Sequence, residues 1–272
     1  MILINYKDMS KLINIAIATA RIKSISTPHS DIRPFMHLLL YGRIGSGKST
    51  ILYEVSKATG IIPLMNLSRP NIVGSVDKTT GNFTPPAIWE SRNNVLLIDE
   101  FNVGKKSPER EMLKNLLPIM EFPEYKKKIG YRCNEFKEGN KNDLFCFVKN
   151  NIIHCKSRFV FFANTMMNIN KTQMYELKAL CSRCIVIPYY PSIEELQKKA
   201  RGEPLYVYKK YNPKPTTKID KRTYNRILTF VESQNIHIEQ YLRTIGDLCR
   251  AYAVIGFKED VFNLICDLAT TQ

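Results

Sequence analysis

Apolar residues gather along this chain in two ways. Short runs with little polar interruption occupy positions 37–41, 95–98, 158–163 and 185–187. Runs without alternation are the signature of strands buried on both faces, so they predict a parallel sheet covered by helices. Elsewhere apolar residues return every three or four positions: Met112, Leu113, Leu116, Leu117 and Met120 after a Ser107-Pro108 start, then Leu242, Ile245, Leu248 and Cys249, then Val261, Leu264, Ile265 and Leu268. That spacing predicts helices, the last two joining residues 223–232 in a small C-terminal bundle. Between the second and third apolar runs lie nearly sixty residues, far more than one crossover helix requires. The surplus holds two β-prone stretches, 144–149 and 152–156, flanking Asn150-Asn151. Asn tolerates the positive φ of a two-residue turn, so a hairpin is expected. In that register Lys149 faces Ile152, Phe147 faces His154, and Cys146 faces Cys155 closely enough to cross-link. Phe145, Phe147, Lys149, His154 and Lys156 then share one face, while Val148, Ile153 and the two cysteines share the other.

The 272 residues, 44% hydrophobic and 24% charged, suit a globular α/β domain with a small helical unit and exclude a disordered or fibrous chain. The longest mostly apolar stretch, 12–20, is interrupted by Asn14 and Thr19 and is far shorter than a bilayer span. With no readable signal peptide, no membrane association and a cytoplasmic location are expected. Forty Lys and Arg against 25 Asp and Glu leave a charge of +15, an excess that points to a polyanionic partner, nucleic acid first. Nine of those basic residues fall within 198–222 against Glu203 and Asp220, interleaved with Tyr206, Tyr208 and Tyr211. This stretch reads as a basic linker between core and helical unit, with a nucleic-acid-binding strip as the alternative. The seven cysteines are expected to be thiols rather than a disulfide framework.

The strongest chemistry follows the first apolar run. Gly42-Arg43-Ile44-Gly45-Ser46-Gly47-Lys48-Ser49-Thr50 fits the G-x-x-x-x-G-K-[ST] phosphate loop between a strand and a helix. Such a loop turns successive N–H groups and a helix N-terminus toward phosphate oxygens. Lys48 adds a charge at the β and γ phosphates, and Ser49 offers a hydroxyl to Mg²⁺. The run 95–98 delivers Asp99 and Glu100 to the carboxyl edge of the sheet, where ligands collect in open α/β folds. Asp99 is expected on the metal and Glu100 on the attacking water.

These residues together resemble the AAA+ ATPases. The run 158–163 ends in Asn164-Thr165, which is similar to the family's sensor 1, and Ser182-Arg183-Cys184 before the next strand resembles the clamp-loader form of its arginine finger. The resemblance implies that Arg183 reaches a neighbouring subunit's γ-phosphate. The helix around Arg243 is similar to sensor 2, making Arg243, or alternatively Arg250, a γ-phosphate contact. The segments 72–77 and 80–90 resemble the helix-2-insert clade, which includes the minichromosome maintenance helicases, MoxR-type ATPases and magnesium chelatases. There the hairpin before sensor 1 points into a ring pore and tracks nucleic acid through a tip lysine, here Lys149, with Lys156 on the same face.

The expected fold is therefore an α/β P-loop core with a five-stranded parallel sheet over residues 1–190, a hairpin inserted at about 144–156, a basic linker at 191–222 and a helical lid at 223–272. The resemblance implies an ATP- and Mg²⁺-dependent ATPase acting as a homo-oligomeric ring, a hexamer, on nucleic acid, with DNA expected rather than RNA. A DNA helicase or replication ATPase of a viral or mobile-element type is the leading expectation. A MoxR- or chelatase-like protein remodeller and a clamp-loader-like switch are the alternatives.

Overall fold

The computed structural model describes residues 4–65, 68–101, 108–121, 124–130, 132–140, 143–156, 158–166 and 178–270. Helix α1 (Tyr6–Thr19) and strands β1 (Ser24–Ser26) and β2 (Asp31–Ile32) precede β3 (His37–Gly42) and α2 (Lys48–Thr59). Next come α3 (Arg69–Val73), the short strands β4 (Ser75–Val76) and β5 (Phe83–Thr84), β6 (Asn94–Ile98) and α4 (Pro108–Glu121). Four strands follow in succession: β7 (Glu124–Lys128), β8 (Phe136–Asn140), β9 (Asp143–Lys149) and β10 (Ile152–Lys156). The chain continues through β11 (Phe159–Met166), β12 (Cys184–Pro188), α5 (Ile193–Ala200), β13 (Thr216–Lys218), α6 (Lys221–Glu232), α7 (Ile238–Ile255) and α8 (Glu259–Thr270).

The central sheet runs β12-β3-β11-β6, with every neighbouring pair parallel. Leu40 on β3 lies beside Asn164 on β11, and Ala163 on β11 lies beside Ile98 on β6, so the register aligns the ends of three strands that carry site residues. Five strands were expected, and among the described residues there are four. At the fifth place Leu64 alone bridges β6 in parallel at Ile98. Pro63 precedes it, and a proline has no N–H to extend the ladder.

Each sheet face is covered by helices, as uninterrupted apolar strands require. Leu38, Leu40, Val95, Leu97, Val160 and Phe162 join residues of α1, α2 and α6 to α8 in one core. Leu39, Leu96, Ile98, Phe159 and Phe161 form the other core with α3 and α4. The C-terminal helices thus share a core with the sheet through α1, which is buried from Leu12 to Thr19 without a break.

Residues 191–222 are largely exposed between 201 and 222 but are fastened to the core at a few points. Glu54 of α2 accepts the Leu205 N–H at 3.0 Å, and the Tyr206 hydroxyl donates to Asn14 of α1 at 2.5 Å. β13 pairs in parallel with β1. Apolar anchors at Leu205, Tyr206 and Ile219 bind the segment down despite its charge.

The inserted segment forms an antiparallel sheet in the order β7-β10-β9-β8. Its centre has the expected register, including Cys146 opposite Cys155, and Asn150 and Asn151 adopt φ values of 52° and 57°. The turn is secured from outside: the Asn151 carbonyl accepts the Ile129 N–H at 2.8 Å and its side-chain oxygen accepts the Cys133 N–H at 3.0 Å. Val148 and Ile153 pack with Phe83 and Ile129 in a third core that joins this sheet to the β4–β5 hairpin. Among the described residues no helix is long and apolar enough to cross a membrane.

Candidate functional site

The phosphate loop begins where β3 ends. A Cβ on Gly42 would lie 2.4 Å from the Tyr189 carbonyl oxygen, so only glycine lets the two backbones approach. Gly47 stands at the N-cap of α2 with φ 99°, a left-handed conformation that leaves the helix N-terminus open. Gly45 also has a positive φ, 76°. The Lys48 side chain is buried, and its ammonium donates to the carbonyls of Gly42 at 2.8 Å and Arg43 at 2.6 Å, with Ser46 Oγ at 3.4 Å. Burial lowers the Lys48 pKa, while Asp99 and Glu100 oppose that shift. Ser49 and Thr50 open the first turn of α2, Ser49 exposed and Thr50 half-buried.

The parallel register brings the second and third motifs to the same edge. Ser49 Oγ donates to Asp99 Oδ1 at 2.9 Å, and Asn164 Nδ2 donates to the same oxygen at 2.5 Å. Asn164 Oδ1 accepts the Glu100 N–H at 2.6 Å, and the Asn164 carbonyl accepts the Phe101 N–H at 2.8 Å. Asn164 is 2% exposed, so one buried amide orients the whole acidic turn. Glu100 sits at φ 53° with its side chain exposed, while Phe101 beside it is buried edge-on against Phe161. The hydroxyl of Ser49 and the carboxylate of Asp99 are hard oxygen donors within hydrogen-bond reach of one another. That pair fits an Mg²⁺ ion, which takes one or two protein oxygens and completes its shell with water and phosphate.

The arginines lie elsewhere. Arg183, Arg243, Arg250 and Arg33 line a cleft of about 410 Å³ together with His37. His37 is the first residue of β3 and Gly42 the last, so the cleft lies roughly 17 Å along the strand from the loop. Arg183 pairs with Glu121 at 2.5 Å and donates to the Ala179 carbonyl at 2.6 Å. Arg243 donates to the Cys181 carbonyl at 2.5 Å, and Arg250 binds Asp247 at 2.6 Å and the Arg33 carbonyl at 2.7 Å. Neither Arg243 nor Arg250, each expected as a γ-phosphate contact, stands at this chain's own phosphate loop. α7 packs against α1, α6 and α8, and that packing turns its arginines toward the start of β12. Nothing in the sequence marked Arg33 or Glu121, which come from a loop and a helix end and meet only in the fold.

A second surface forms on the inserted sheet. Lys126, His154, Phe147 and Lys137 stand in one cross-strand row, and Lys128, Ile152 and Lys149 in the next. Lys126, Lys128, Lys137 and Lys149 are exposed. The Phe147 and His154 rings stack 4.4 Å apart at 8°. Lys156 is two positions from His154 on β10, opposite Glu124 in register. Lys126 and Lys128 escaped the sequence reading because β7 is mostly charged, although their spacing of two was the available signal.

Residues 38–183 match the family model described as "ATPase family associated with various cellular activities (AAA)". No curated protein matches the chain. The matched span runs from β3 through Arg183 and covers every phosphate, metal and water residue of the site above. It takes in more than half of the 272 residues, and this chain belongs to the AAA family of ATPases.

Proposed function

We propose that this AAA ATPase is a nucleic-acid motor or remodeller, acting on DNA rather than RNA, of the helicase or replication type found in viruses and mobile elements. The observation that carries the reading is the outer face of the inserted sheet, where four exposed lysines surround a stacked Phe147–His154 pair. Lysines at strand spacing match a phosphate backbone, and an aromatic pair offers bases a stacking surface. The face is built on the hairpin whose β10 runs almost directly into β11, the strand that carries Asn164. The β4–β5 hairpin beneath it supports the resemblance to the helix-2-insert clade.

In this reading Lys48 and the loop N–H groups hold the β and γ phosphates. Ser49 and Asp99 hold Mg²⁺, which withdraws charge from the phosphate oxygens. Glu100 polarises the attacking water, and Asn164 keeps Asp99 and the Glu100 backbone in place. Arg183 lies too far from its own loop to serve it, so it acts on the γ-phosphate of a neighbour in a homo-oligomeric ring, released from Glu121 as it does so. Arg243 and Arg250, on the same cleft, face the same neighbour.

ATP turnover measured with and without single- and double-stranded DNA tests the reading. DNA is expected to stimulate turnover, and Lys149→Ala to remove the stimulation while leaving the basal rate. Turnover indifferent to DNA, or stimulated by an unfolded polypeptide instead, would overturn it in favour of a protein remodeller.

A further inference from the structure

The helix after the central sheet brings a second ammonium to the phosphate loop. The Lys199 Nζ lies 3.1 Å from the point where a Cβ on Gly47 would sit, with its Cδ and Cε at 3.5 and 3.7 Å. Lys199 is half-buried in the last turn of α5, and α5 is held firmly. Glu195 is 5% exposed and accepts two backbone N–H groups, Tyr6 at 2.8 Å and Ser192 at 2.8 Å. The Lys198 ammonium lies 4.7 Å from the Tyr6 ring centroid and pairs with Glu194 at 3.3 Å. Beyond the helix, the Glu54–Leu205 contact fastens the chain to α2 itself. Neither anchor uses Lys199, so its position over Gly47 is a consequence of α5 docking and not its cause.

The electrostatics of that position call for an anion. The N-terminus of α2 carries partial positive charge, Lys48 lies within the loop, and Lys199 adds a third centre of the same sign. Glu54 acts on Lys199 through space but spends its carboxylate on the Leu205 N–H. Like charges on one loop raise the energy of the fold unless a polyanion spans them, and the polyphosphate of a nucleotide does so.

We propose that Lys199 binds the phosphates of the nucleotide held by its own chain, beside Lys48, and thereby couples α5 to nucleotide occupancy. The inference rests on the ATPase reading of the loop. It assigns the chain's own site a cation from the segment after β12, at the sheet end where Arg243 and Arg250 are missing.

Nucleotide affinities of the full chain for ATP, ADP and adenosine, measured by titration calorimetry for wild type, Lys199→Ala, Lys199→Arg and Lys48→Ala, test it. Lys199→Ala is expected to weaken ATP and ADP roughly tenfold, the size of one charge-assisted contact, and to leave adenosine and the melting temperature unchanged. Lys199→Arg should recover most of the loss. ATP affinity within about twofold of wild type in Lys199→Ala would overturn the proposal, with the ATPase reading intact. An equal loss for adenosine would also overturn it, because it would show that the substitution merely displaces α5. Wild type that fails to bind ATP, or Lys48→Ala that binds it as well as wild type, would remove the reading beneath it.

Discussion

Glu100 occupies a left-handed backbone conformation, φ 53°, that costs a residue with a side chain about 1–3 kcal/mol. Its N–H is held by Asn164 and Asp99, and the next residue is anchored in the core, so the surrounding structure enforces the conformation. Stability and chemistry therefore separate at this position. Glu100→Gln keeps the shape and removes the base; turnover should fall about 10²- to 10⁴-fold with ATP binding retained, read from steady-state rates beside nucleotide affinity. Glu100→Gly should be as inactive yet melt higher than Glu100→Gln, because glycine accepts the positive φ without strain. His37 shows the converse, a polar group serving the fold alone. Its Nδ1 accepts the Phe161 N–H at 3.0 Å and its Nε2 faces the Met120 carbonyl at 3.1 Å, and burial lowers its pKa to about 3. A depressed pKa means the unfolded chain binds the proton more readily. Stability is thus whole above the ordinary histidine pKa of about 6.5 and declines as pH falls from there toward 3. Thermal melts from pH 7 to pH 4 should show that decline, and His37→Gln, unable to titrate, should flatten it from a lower starting stability.

At the scale of elements, what the chain revealed depended on whether a segment is buried on one side or on all. The strands leading to Gly42, Asp99 and Asn164 were readable because a doubly covered strand leaves no polar position, and the hairpin because Asn150-Asn151 suits left-handed φ. Helix α1 was not, since burial on nearly every face erases the helical period, and its apolar stretch served only to exclude a membrane span. β7 and β8 were hidden for the opposite reason: Lys126, Lys128 and Lys137 are charged and exposed, and the pairing of these strands to β10 and β9, not apolar content, makes them strands. That pairing adds Lys126, Lys128 and Lys137 to the hairpin lysines of the proposed nucleic-acid surface, and the consequence can be measured. Log affinity for single-stranded DNA should fall linearly with log salt. Lys126→Ala and Lys128→Ala should each make the slope shallower by about 0.7, the share of one phosphate contact on a single strand, as Lys149→Ala does. A slope unmoved by any of the three would remove this face from the nucleic-acid path.

The whole molecule places the two sets of groups proposed to bind phosphate at opposite ends of the sheet. Lys48, Ser49 and Asp99 lie beyond the carboxyl ends of the strands, whereas Arg183, Arg243 and Arg250 line a cleft at the amino end of β3. No rigid chain brings both sets to one nucleotide, but two copies arranged head to tail would, and a head-to-tail contact that closes on itself makes a ring. The surfaces at the two ends suit that contact. Ile238 and Leu242 are 85% and 81% exposed at the start of α7, with Leu242 on the rim of the arginine cleft, and Ile44 in the phosphate loop is 74% exposed. Arginines supplied by a neighbour typically contribute about 10³- to 10⁵-fold to phosphoryl transfer, so Arg183→Ala should be nearly inactive although its own loop is intact. Lys48→Ala should be inactive although its Arg183 is intact. Mixed together, the two variants can form sites that pair a sound loop from one with a sound arginine from the other. Turnover should then reappear on mixing and rise with total protein concentration, and Leu242→Asp in both partners should abolish the recovery by breaking the contact. Two silent variants that stay silent together while still co-assembling would mean that Arg183 does not cross to its neighbour's nucleotide.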